Sequence, residues 1–203
     1  MVDQAKRSAI VPVDYVVDKD FDRQISEKFD LIVANHVVEH VPDVIGWLNR
    51  LNTLLRPGGH VFLAVPDKNY TFDIIRDPTL TRELLNNYIS KRETPSAADI
   101  LDATAQRRDI RNGSDVWSGK AHHAMKVAPT VDVVQTLQSI ERRFAAGEYI
   151  DCHCNVFTEA SFLNVFRELA QYDFCNLCLL QTRPVQRPYN EFYALFAASP
   201  LRR

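Results

Sequence analysis

The sequence predicts an α/β fold built on a mostly parallel sheet, and three features carry that expectation. Residues 29–35, FDLIVAN, form a near-continuous apolar run of strand length, the pattern of a strand covered on both faces. Residues 60–66, HVFLAVP, form a second such run. Between them Val44, Leu48, Leu51 and Leu55 recur at steps of four, three and four, the spacing of an amphipathic helix. Strand, helix and strand at this spacing make a βαβ unit with a right-handed crossover.

Taken in order, Val13 to Val17 (VDYVV) alternates and is β-branched, which predicts a short strand ending at Asp18. DKDFDRQISEK is a polar connection with room for one helical turn. After the 29–35 strand, Asp43 stands at the dipole-favoured start of the helix, and Pro57 with Gly58-Gly59 stops it near Leu55. Beyond Pro66 the texture turns helical, with helices expected over roughly 79–91, 96–108 and 130–146. The last two are separated by a polar loop carrying Trp117, His122 and His123. CHCNVF then leads into a helix from Thr158 to about Gln171, with Thr158 and Ser161 near its start. Strands are expected at 174–181 and 191–198.

Composition narrows the function classes. Net charge is -2 with 25% charged residues, so no global field recruits nucleic acid or an anionic membrane surface. No apolar run approaches a membrane span, and the first residues lack the apolar core of a secretory signal, so a cytoplasmic location is expected. The six glycines begin only at Gly46, and no glycine-rich phosphate or nucleotide loop can be assembled from them.

The densest chemistry lies at His36-Val-Val-Glu39-His40. The letters match the H-x-x-E-H zinc-protease pattern, which requires both imidazoles on one helical face. Here the helix is expected to begin only near Asp43, so no metal site is expected, and a strand-end crevice is the better reading. Within it His40 and Glu39 are the best chemical pair; the bland alternative has Glu39 capping the next helix and His40 bonding backbone. His153, between two cysteines, could be a ligand, a base or a satisfied core histidine, and reads most simply as core or rim. His122 and His123 line a pocket or, more simply, decorate an exposed loop. Cys152-x-Cys154 and Cys175-x-x-Cys178 invite zinc, but FCNLCLLQ is strand-like and sends 175 and 178 to opposite faces, which favours burial as small apolar side chains.

The run FDLIVANHVVEHVPDVIGWLNRLNTLLRPGGHVFLAVPD resembles the centre of class I S-adenosylmethionine (SAM)-dependent methyltransferases, in their small-molecule branch. It has F-D-x-[IV] at a strand start, E-H just past its end, and L-x-P-G-G before the next strand. The resemblance implies a Rossmann-like sheet, mostly parallel with an antiparallel last strand, and a helical insertion at about 68–150. It implies SAM as cofactor and a small-molecule acceptor. Asp18 would lie near the adenine, Asn35, His36 and Val37 would border the cofactor, and His40 would be the base, oriented by Glu39, or the pair would be part of a divalent-ion site, as in some O-methyltransferases resembling this branch. The family also places two strand–helix units and a glycine-rich loop upstream, needing about 60 residues. Only twelve precede Val13, so the expectation is a single truncated domain over 1–203, with cofactor binding in question. The rival reading is a non-catalytic remnant, a binding or oligomerisation module that forms a homodimer through the exposed sheet edge.

Overall fold

A computed structural model describes residues 12–110, 113–122 and 130–198. Its sheet has four strands: β1 (Phe29–Asn35), β2 (Leu55–Pro66), β3 (Leu177–Arg183) and β4 (Glu191–Ala198), in the order β1-β2-β4-β3. β2 runs parallel to β1, and β4 runs antiparallel to both β2 and β3. Three strands therefore point one way and the last points back, as the resemblance implies.

The βαβ unit forms where the apolar periodicity places it. Helix α2 (Val44–Thr53) begins at Asp43, whose carboxylate accepts the Gly46 N–H at 2.8 Å. A short helix, α1 (Phe21–Gln24), precedes β1 and lays Phe21 against the core. α2 ends two residues earlier than the spacing suggests, and β2 starts at Leu55 instead of His60. Pro57, Gly58 and Gly59 are thus not a turn between elements but an irregularity inside β2: Phe29 pairs with Leu55, whereas Leu31 already pairs with His60. Gly58 takes a φ of 77°, and a Cβ on Gly59 would lie 2.9 Å from the Arg56 carbonyl oxygen.

Helices α3 (Thr81–Ile89), α4 (Ala97–Ala105), α5 (Gly113–Trp117), α6 (Val133–Ala145) and α7 (Glu159–Tyr172) follow. The expected long polar loop thus contains a short helix, α5. Thr158 and Ser161 cap α7 reciprocally, with Ser161 N–H on the Thr158 hydroxyl at 3.1 Å and Thr158 N–H on the Ser161 hydroxyl at 2.9 Å. The main core joins α2, α3 and α7 to one face of the sheet. Phe162 is its hub, with the rings of Phe157, Phe166 and Phe192 at 4.4–5.3 Å and Phe196 at 6.2 Å. A smaller cluster of Ile100, Ile140 and Ile150 ties α4 to α6 and to the chain leading into the site.

The opposite face of the sheet alternates toward solvent: Leu31 and Val33 are 54% and 53% exposed. Among the described residues β1 pairs with β2 alone. The strand expected at 13–17 does not form. Its backbone N–H and C=O groups find no ladder partner, Val13 and Val16 are exposed, and the Tyr15 hydroxyl is spent on Glu27. No helix among the described residues is long and apolar enough to cross a membrane.

Because Phe162 touches four aromatic neighbours and is fully buried, Phe162→Ala is expected to lower unfolding free energy by about 3–5 kcal/mol, read from urea midpoints at unchanged slope.

Candidate active site

β1 ends at Asn35, and the chain changes course at once. His36 adopts a left-handed φ of 52°, its N–H donates to the Ala64 carbonyl at 3.0 Å, and Val38–His40 make a single 3-10 turn before α2 begins. No regular helix runs through 36–40, so the two histidines of the motif do not share a helical stripe. His36 turns to β4, placing Nε2 2.5 Å from Glu191 Oε2. His40 turns to the segment before α7, with Nδ1 2.9 Å from Asp151 Oδ1.

That segment meets the turn through backbone and amide bonds. Cys154 and Asn155 N–H both donate to the Glu39 carbonyl, at 2.7 and 3.1 Å. The buried Asn155 side chain donates to the Val38 and Val41 carbonyls at 3.3 and 2.7 Å. His153 is thereby set edge-on to His40 with ring centroids 4.8 Å apart. Its Nδ1 lies 2.5 Å from Asp73 Oδ2, and Asp73 in turn receives Arg76 Nη1 at 2.9 Å. Arg76 also donates through Nε to Asp102 on α4 at 2.7 Å. Burial alone would raise the Asp73 carboxyl, but His153 and Arg76 more than offset it and hold it below the usual carboxylate range.

Glu39 sits at the centre of these groups, 2% exposed, with neither carboxylate oxygen hydrogen-bonded among the described residues. The nearest ring nitrogens are those of His36 at 3.7 Å and His40 at 3.9 Å. Burial pushes its carboxyl above the usual range, and its own backbone N–H, then the attraction of His153, His36 and His40, recover only part of that. It caps nothing, since Asp43 has that role, and the partner that orients His40 is Asp151. Glu39, His40 and His153 offer ligand atoms that all lie within 4.8 Å of one another. His40 also opens onto a cleft of about 710 Å³ lined by Phe21, Trp47, Tyr88, Arg50 and Arg92. That volume is within the range of small-molecule sites.

The remaining candidates fall elsewhere. Asp18 occupies an exposed loop, where its carboxylate accepts the Asp20 N–H at 2.8 Å and the Gln24 amide. Asn35 and Val37 flank His36 at the end of β1. Trp117 stacks on Tyr70 at 4.5 Å and donates to the Tyr189 carbonyl at 2.8 Å; His122 is exposed, and His123 lies outside the described residues. Both cysteine pairs are free thiols, and burial pushes Cys175 up to about 11. His153 is the partly buried, Asp73-bonded rim histidine expected, while sequence reasoning passed over Asp73, Asp151 and Asn155. The one signal it had was a polar run, Asp151 to Asn155, set directly before an apolar helix start.

Residues 2–174 match a family model described as a methyltransferase domain. The chain belongs to the methyltransferase-domain family. The central motif and the sheet topology thus agree with the class I, Rossmann-like expectation. Ubiquinone biosynthesis O-methyltransferase of Paramagnetospirillum magneticum is 45% identical over 54 residues, covering 27% of this chain and 21% of its own length. The Acinetobacter baylyi protein of the same name is 30% identical over 115 residues, covering 52% of this chain and 46% of its own length. A solved Haemonchus contortus phosphoethanolamine N-methyltransferase 2, in complex with S-adenosyl-L-methionine, is 14% identical, covers 85% of this chain and 33% of that one, and has a TM-score of 0.23, too slight to carry an argument. This methyltransferase domain spans less than half the length of those curated relatives.

Asp73 is buried between a histidine and an arginine, whereas Asp102 is partly solvated. Asp73→Ala should therefore destabilise by about 3 kcal/mol and Asp102→Ala by under about 1 kcal/mol, compared by denaturant unfolding.

Proposed function

We propose that the chain carries the acceptor side of a SAM-dependent methyl transfer to a hydroxyl group of a small molecule. The observation that supports this is His40, just past the carboxyl end of β1, held by Asp151 and set on the rim of a cleft lined by Phe21, Trp47 and Tyr88. Methyl transfer asks for alignment of the sulfonium methyl with the acceptor oxygen and for removal of the hydroxyl proton. Asp151 holds His40 by Nδ1 and leaves Nε2 to accept that proton. Asn35, His36 and Val37 border the donor, and Phe21, Trp47 and Tyr88 seat an apolar or aromatic acceptor. The O-methyltransferase names of the relatives favour oxygen over nitrogen or carbon.

Calorimetric titration of the full chain with S-adenosylhomocysteine should give micromolar binding, and absence of heat at any temperature tried would remove autonomous catalysis. With labelled SAM and a panel of catechols, His40→Asn should cut turnover by about 10²–10⁴-fold. An unchanged rate would remove His40 as the base.

The exposed Leu31 and Val33, on a strand whose outer edge has no partner among the described residues, favour a second reading, in which two copies pair edge to edge through β1. Sedimentation should then show a dimer that Val33→Lys converts to monomer; a monomeric wild-type protein at high concentration would end this reading.

A further inference from the structure

The cleft that His40 opens onto is lopsided in charge. Phe21, Trp47, Tyr88 and Ile89 give it an apolar wall, yet Lys19, Arg50, Lys91 and Arg92 line it against two carboxylates, Asp43 and Glu93. Both carboxylates are already engaged. Glu93 receives Lys19 on its two oxygens at 2.8 and 2.7 Å, and Asp43 caps α2 through the Gly46 N–H at 2.8 Å. Neither Lys91 nor Arg92 makes an ion pair among the described residues. Arg50 donates Nη1 to the Lys19 carbonyl at 2.5 Å and lies over the Phe21 ring, 5.4 Å from its centre. The Nε–H groups of Arg50 and Arg92 are buried and have no acceptor among the described residues. A guanidinium carries five donors and stays charged at any working pH, so two half-buried forks beside an apolar wall call for a negative partner.

We propose that the acceptor is an aromatic hydroxy acid, whose carboxylate Arg92 and Arg50 hold while its ring lies on Phe21, Trp47 and Tyr88 and its hydroxyl meets His40. This rests on the methyl-transfer reading and narrows its substrate class. An arginine fork matches a carboxylate with two parallel charge-assisted hydrogen bonds, stronger than neutral ones. Asp43 and Glu93 remain in the lining, which suits a monoanion better than a phosphate dianion. The carboxylate anchors the ring and takes no part in bond making. Arg92 also lines a neighbouring cavity of about 700 Å³, but four carboxylates line that one against three arginines. An anion is therefore favoured on the His40 side of Arg92, and Arg92 is the residue that sets the preference.

The test needs no SAM, so a failure of methyl transfer and a failure of this cleft are read separately. The chain is titrated calorimetrically with 3,4-dihydroxybenzoate and, separately, with catechol, which differs by the carboxylate alone. The acid should bind at least about tenfold tighter, and added salt should shrink that advantage. Arg92→Gln should bring the two affinities to within about threefold of each other, and Arg92→Lys, which keeps the charge but not the fork, should fall between. Arg50→Gln also loosens the Lys19 and Phe21 contacts, so Arg92, which bonds to no other side chain, decides; its urea midpoint should match the wild type. Equal affinity for the two probes, an acid preference that Arg92→Gln leaves intact, or no heat with the acid up to about 10 mM would each overturn the proposal.

Discussion

Asn155 is 1% exposed, and its amide donates to the carbonyls of Val38 and Val41, closing the 3-10 turn from the side opposite its own chain connection. Its backbone N–H, with that of Cys154, lands on the Glu39 carbonyl. Four hydrogen bonds thus tie a turn that β1 feeds to a segment that enters α7, more than a hundred residues later. Each is worth about 1 kcal/mol net, but leaving the buried carbonyls unpaired costs about 1–3 kcal/mol apiece. The junction is therefore held far more firmly than its net stabilisation suggests. His153 sits two residues before Asn155 and His40 one residue after Glu39, so the same clamp that satisfies the turn sets the two rings edge to edge.

The turn itself exists because β1 must stop. Asn35 is the last residue paired to β2, His36 takes a left-handed conformation, and the chain cannot continue extended or enter α2 directly until Asp43 supplies a cap. The other half of the junction is anchored independently. Ile150 packs with Ile100 and Ile140, so the α4–α6 pair fixes the chain just before Asp151 and Cys152. Arg76 fastens Asp73 to Asp102 on α4 and to the His153 carbonyl at 3.0 Å. The sheet, the helical pair and the clamp meet at one place, and the polar side chains not needed for packing are the ones that face it.

Much of the framework was legible in the residues. The two apolar runs and the 4-3-4 spacing placed β1, α2 and β2, because periodicity reports burial directly. The break at Pro57 was read as a turn and proved to be a strand irregularity, since β2 has enough length to resume its ladder past the two glycines. VDYVV carried strand propensity without a strand, because a ladder needs a partner that propensity cannot supply. The site was half legible. His40 and Glu39 stood out, but the motif offered His36 as the second imidazole. The ring that the structure sets against His40 is that of His153, 113 positions away, brought in by contacts that no local spacing encodes.

Glu39 shows what that convergence costs. Among the described residues, the other buried carboxylates found an answer: Asp73 has His153 and Arg76, and Asp67 accepts the N–H groups of Asn69 and, at 3.4 Å, Glu159. Glu39 has only the looser approach of His36 and His40 ring nitrogens at 3.7 and 3.9 Å, although Arg76 lies close enough to His153 to bond its carbonyl. Glutamine would fill the same volume, remove the charge and bring its own donors, so packing alone gives no reason for a carboxylate. Ionised and unpaired, the group costs several kcal/mol; protonated, it still buries a donor without an acceptor. Local rules of fold stability are broken where a site needs them broken. Among the described residues, the place where two carboxylate-held histidines meet is also the place where a carboxyl group is kept out of water.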